Sequence, residues 1–259
     1  MEDHGIKLPK EFYLGTASAA YQIEGATTQD ERGPSIWDQY VKVPDAIENG
    51  DTGDIACDHY NRWREDLEIM RHLGLNAYRF SISWSRVIPK GRGKLNKKGL
   101  DFYSKLVDVL LEHKITPFVT LNHFDLPQKL QEEGGGWLRR GVHNDFNEYT
   151  DIVTQELGDR VKHWTTFNEP WELAWQGYHT GEDAPGLKLG VDAALEASHN
   201  VYLSHGHAVQ TIRDNVPDAE VGIVIHLNHV EPATKNPKDI AAAKRWEGCQ
   251  NRWYLDPIY

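Results

Sequence analysis

Residues 163–171 read HWTTFNEPW: an apolar, β-branched and aromatic run that stops on an amide and a carboxylate, with a proline and a tryptophan behind them. Runs of this kind are buried strands of a parallel sheet. Four more share the character: Phe12 to Ala17, Ala77 to Ile82, Thr116 to Leu121 and Val221 to Leu227. Between them lie patterns at helical spacing. Tyr60, Trp63, Leu67, Met70 and Leu73 form one, with Gly74 as its stop. Leu100 to Leu111, Phe146 to Leu157 (closed by Gly158), Val191 to Ile212 and Pro237 to Trp246 are the others. Strand alternating with helix means a parallel sheet, either doubly wound or closed as a barrel.

A complete (β/α)8 barrel takes about 250 residues, and the chain has 259. Yet the fifth strand ends near Leu227, and three further units of about 30 residues each do not fit behind it. The expectation is therefore either the first five strand-helix units of a TIM barrel or an open five-stranded sheet. The final WYLDPIY reads as a cut within a longer domain, so residues 1–259 are expected to be the N-terminal part of one catalytic domain.

The net charge is −11, which argues against nucleic acid or an anionic membrane surface as partner. Two cysteines, Cys57 and Cys249, make neither a disulfide framework nor a metal-ligand spacing. The start, MEDHGIKLPKEF, has no apolar h-region, and no 18-residue apolar run occurs. A cytoplasmic setting is expected. No cofactor is expected either, since Gly91-Arg92-Gly93-Lys94 lacks the rest of a phosphate-binding loop. Nine Trp and eleven Tyr are either core or platforms on which sugar rings stack.

In a barrel, reactive groups sit at the C-terminal ends of strands. Gln22 follows strand one; Arg79 lies within strand two; Asn122, His123, Phe124 and Asp125 follow strand three; Asn168, Glu169, Pro170 and Trp171 follow strand four; His226 lies at the end of strand five. Amides, imidazoles, a carboxylate and aromatics suit neutral hydroxyls. Each has a plainer reading: Gln22 as a loop residue, His123 as a satisfied core histidine, Glu169 as a helix N-terminal carboxylate. An arginine inside a strand is expected to pair with a buried carboxylate. His205 and His207 point to different helix faces and read as structural.

Several stretches together resemble glycoside hydrolase family 1, the β-glucosidase family: FYLGTASAAYQIEGA, RGPSIWD, GDIACDHYNRWREDLEIMRHLGLNAYRFSISWSRVIPKG, FVTLNHFDLP, GDRVKHWTTFNEPW and GYHTGEDAPG. They run from about residue 11 onward. The resemblance implies a (β/α)8 barrel and retaining hydrolysis that removes a non-reducing-end β-D-glucosyl residue from a β-glucoside or short β-linked oligosaccharide. It implies Glu169 as the acid/base and Asn168 on the sugar 2-hydroxyl. Gln22 and His123 would bind sugar hydroxyls, Trp171 would face the leaving group, and Arg79 would lie beneath the nucleophile. Phe124 stands where the family usually has Trp, which keeps a stacking face and loses an N–H donor. His226 stands where Asn is frequent, on the aglycone side. The retaining mechanism needs a second carboxylate about 5–5.5 Å from the first. The family carries it in a Thr-Glu-Asn-Gly motif that these residues lack. The expectation is that a complementing C-terminal polypeptide supplies it. The competing expectation is a non-catalytic, sugar-binding or scaffold half-barrel.

Overall fold

The computed structural model describes residues 7–9 and 11–259, so most of the charged start lies outside the described residues. Five strands form one sheet: β1 (Gly15–Ala17), β2 (Ala77–Ser81), β3 (Thr116–Asn122), β4 (His163–Asn168) and β5 (Glu220–Val224). All neighbours are parallel and the order is β1-β2-β3-β4-β5. A doubly wound sheet reverses its strand order at a switch point. None occurs here, and sequential order is how a barrel begins. The long helices between strands are α1 (His59–His72), α2 (Lys97–Glu112), α3 (Val142–Leu157) and α4 (Val191–Asn215), with shorter helical segments beside them, and α5 (Pro237–Glu247) follows β5.

The chain enters the sheet later than its apolar pattern suggests. Phe12, Tyr13 and Leu14 are half exposed and precede β1. The Asn76 side chain accepts from Leu14 N and donates to the Phe12 carbonyl, so an amide takes the place of a strand ladder there. At the other edge β5 stops at Val224, and His226 and Leu227 lie in the loop behind it. Asn251 pins that loop through two hydrogen bonds to the Asn228 backbone, at 2.9 and 2.8 Å. Among the described residues β1 and β5 each pair on one side only.

Both helix-ending glycines stop their helices, for different reasons. Gly74 has φ +71° and closes α1 in a left-handed cap. Gly158 keeps a helical φ of −68°. A Cβ there would sit 2.4 Å from Val216 Cγ2, so close packing excludes a side chain.

Most of the aromatic excess is core. Trp84, Trp137, Trp164, Tyr149, Phe146 and Phe167 are fully buried. Trp84 stacks on Tyr149 at 5.1 Å, and Phe146 on Phe167 at 4.6 Å. From α3 the Tyr149 hydroxyl reaches the carbonyls of Ile82 and Leu121, at 3.1 and 3.0 Å. One buried side chain thus ties the C-terminal ends of β2 and β3, next to the rim. Tyr149→Phe leaves both carbonyls short of a donor. It is expected to cost about 1–3 kcal/mol, read from urea unfolding with an unchanged slope.

Candidate active site

The rim is built on Arg79. It rises inside the sheet from β2, half buried, and its Nε donates to Thr120 Oγ1 on β3 at 3.0 Å. Thr120 shares a 2.7 Å hydrogen bond with Thr165 on β4. Arg79 Nη2 donates to Asn168 Oδ1 at 2.6 Å. The expected carboxylate partner is not there: among the described residues no carboxylate lies in salt-bridge range, and one hydroxyl and one amide take its place. Burial lowers the guanidinium's hold on its proton, and the charge of Glu169 opposes that.

With its oxygen engaged by Arg79, Asn168 keeps its NH2 as the group able to donate to a ligand. Glu169 follows at φ +43°, a left-handed conformation unusual for a residue with a side chain. Its backbone N donates to the Val224 carbonyl at 2.8 Å, which ties the turn to β5. Phe124, just past the end of β3, also has positive φ, at +76°. Strain of about 1–3 kcal/mol at such positions persists where the surroundings impose it. Glu169 also stands directly before the helix that starts at Pro170, its carbonyl accepting from Leu173 N at 3.4 Å, so it occupies the helix N-terminal place as well; Glu172 lies inside that helix.

Gln22, His123 and Phe124 come together as walls of one cavity of about 340 Å³. Tyr21 and Trp37 complete its aromatic side, 6.0 Å apart. Trp37 had a sequence signal: it lies in a Ser35–Asp38 capping box that fixes its short helix. Burial pushes the His123 imidazole down to about 4, with Arg79's charge adding to the effect. It is neutral above that pH, able to donate from one nitrogen and accept at the other. Its Nδ1 is buried with no protein partner.

Asp125, also on this rim in sequence, is fully buried. Burial pushes its carboxyl up to about 7, with Arg32 opposing. It is sealed from any substrate. Trp171 is enclosed as well, at 8% exposure. Its indole N–H donates to the Cys249 carbonyl at 3.0 Å, and its ring stacks on the more open Trp175 at 5.5 Å. It lies apart from the residues lining the Gln22 cavity and offers little open face. His226 is 43% exposed and hydrogen-bonds through Nδ1 to Glu172 Oε1, a partner that the sequence reading passed over. His205 bonds Thr166 at 2.8 Å and His207 stacks on His143, both away from the rim. Among the described residues no group of three His, Cys, Asp or Glu could hold a metal ion.

The site is thus a parallel barrel segment that carries amides, an imidazole, a carboxylate and aromatics along its C-terminal rim. The chain belongs to glycosyl hydrolase family 1, whose model matches residues 4–259. It is 49% identical to beta-glucosidase A of Acetivibrio thermocellus, over 98% of this chain and 56% of that protein. It is 43% identical to an aryl-phospho-beta-D-glucosidase of Bacillus subtilis, over 99% of this chain and 54% of that one. A solved beta-glucosidase from Thermotoga maritima in complex with deoxynojirimycin superposes with a TM-score of 0.95 at 47% identity, covering 98% of this chain and 57% of its own. The chain thus spans just over half the length of these relatives.

The two buried titratable groups on the rim pull stability in opposite directions. Folded Asp125 keeps a proton that the unfolded chain releases, so its contribution is lost as pH rises from about 4 to about 7. Folded His123 releases a proton that the unfolded chain holds, so its contribution is lost as pH falls from about 6.5 to about 4. Asp125→Asn removes the first. The expected outcome is a steeper rise of Tm between pH 4 and 6.5 and a higher Tm than the parent at pH 8. Parallel Tm curves would contradict it.

Proposed function

We propose that this chain is the acid/base-bearing part of a retaining β-glycoside hydrolase that releases non-reducing-end β-D-glucosyl residues. The observation that carries the reading is the link from Arg79 on β2 to Asn168 at the end of β4, with Glu169 next in the chain. A guanidinium orients the amide, and the next residue is a carboxylate held in a strained backbone state. Family membership and the solved relative bound to deoxynojirimycin support a sugar as ligand.

Glu169 gives its proton to the departing glycosidic oxygen while a second carboxylate attacks the anomeric carbon and forms a glycosyl ester. Glu169, now a carboxylate, takes a proton from water, which opens the ester. Asn168 donates to the 2-hydroxyl, a bond that strengthens as positive charge builds on the ring. Gln22 and neutral His123 read other sugar hydroxyls, and Phe124 offers an apolar face. Trp171, buried behind Glu169, serves this scheme by fixing the turn from within. The attacking carboxylate comes from the family strands that lie outside residues 1–259.

The test is hydrolysis of an aryl β-glucoside. The chain alone is expected to be inactive, and activity is expected on adding a polypeptide that carries the remaining family strands. In that complex Glu169→Gln is expected to lower kcat by about 10²–10⁴-fold on a poor leaving group. Turnover by the isolated chain, from a sample holding no second polypeptide, would overturn the need for a partner.

The second reading is a non-catalytic sugar-binding or scaffold half-barrel, for which the Gln22–His123–Phe124 cavity is the candidate pocket. Calorimetry with glucose separates the two readings. Saturable binding by the lone chain, with no hydrolysis in the reconstituted mixture, selects the binding protein.

A further inference from the structure

Three residues beyond Glu169, the chain enters a π-helix, Glu172–Thr180. Such wide turns are uncommon and cluster at functional sites. One side of this one is an aromatic ladder: Trp171 on Trp175, Trp175 on His179 at 4.4 Å, and Trp253 edge-on to Trp175 at 5.5 Å. The ladder anchors the helix to the C-terminal turn.

Glu172 opens that helix and is 8% exposed. Its Oε1 is engaged by His226 Nδ1, and its Oε2 is buried with no partner. His226 comes from the loop after β5, the strand whose Val224 carbonyl holds the backbone of Glu169. Glu172 and His226 thus sit on the two elements that flank Glu169.

We infer that Glu172 and His226 are a positioning pair for Glu169, in which the hydrogen bond to Glu172 fixes the His226 ring on the loop behind β5 and the pair is coupled electrostatically to Glu169. This rests on Glu169 being the acid/base. The hydrogen bond to Glu172 pushes the His226 imidazole up, and the charge of Glu169 adds to it. Burial pushes the Glu172 carboxyl up, opposed by His226. The further charges around the pair are Asp183, pushed up to about 6 by burial with Glu172 and Glu182 adding. The Nδ1–H is committed to Glu172, which leaves Nε2–H as the donor open to an oxygen on the leaving-group side.

The experiment is a histidine titration by NMR on this chain, which needs no turnover and so stands or falls apart from the hydrolase reading. The His226 ring is assigned by its loss in His226→Asn. In the parent its midpoint is expected above the ordinary value of about 6.5. Glu172→Gln, which keeps the shape and a hydrogen bond, is expected to lower it by about one pH unit. The deciding variant is Glu169→Gln, which touches neither partner and is expected to lower the His226 midpoint measurably. A midpoint indifferent to Glu169→Gln, in a variant whose other resonances show it folded, overturns the coupling. A midpoint indifferent to Glu172→Gln overturns the pair.

Discussion

A guanidinium inside a parallel sheet has to be satisfied, and the way Arg79 is satisfied sets the rim. Its donors reach β3 through Thr120 and the end of β4 through Asn168, and Thr165 extends the link. Burial makes these bonds worth more than on a surface. They also fix which end of the Asn168 amide faces outward, and Asn168 is the residue from which the backbone turns into its left-handed step at Glu169. Tyr149 adds an uncharged version of the same device behind β2 and β3. Positions at three strand ends are thereby set by side chains and not by loops, as a site needs when its donors must meet a ring of fixed hydroxyls.

The chemistry of the rim follows from its neutrality. His123 stands beside Arg79 and is partly buried, so both its neighbour and its surroundings disfavour an imidazolium. Asp125 is driven toward its protonated form by burial. Charge is concentrated at Arg79 and Glu169 and, one turn on, at Glu172 and His226. The cavity side presents neutral His123, Gln22 and aromatic rings, with Asp51 as the carboxylate in its lining, while the β4–β5 side carries Glu169, Glu172 and His226. A single continuous rim is split into two electrostatic halves by which side chains are buried.

Periodicity carried the architecture. All five strands lie where the apolar runs place them, within a few residues, because buried parallel strands have little freedom in composition. The errors lie where a distant side chain replaces a local rule. Phe12 to Leu14 have strand-like composition, yet Asn76, more than sixty residues on, binds their backbone instead. Trp171 reads as an open aromatic beside a carboxylate, but its neighbour in space is Cys249. The His226–Glu172 pair joins residues 54 apart, and no spacing rule connects them. Arg79 shows both sides of the limit. A charge in a strand announces that partners exist, while the chemistry of the partners depends on what the neighbouring strands bring inward.

Arg79 is also where the two carboxylates of the proposed mechanism would meet their electrostatic requirement. A half-buried guanidinium bonded only to one hydroxyl and one amide has lost water without gaining an anion, which is why burial is the leading influence on it. Bringing a second carboxylate close to Glu169 would ordinarily be opposed by their mutual repulsion. Placed against Arg79, that carboxylate gains a charge-assisted bond while remaining near Glu169. The arginine thus makes it possible to hold two like charges at the separation that double displacement needs. In the proposed mechanism the charge on β2, bonded to Asn168, would receive that second carboxylate.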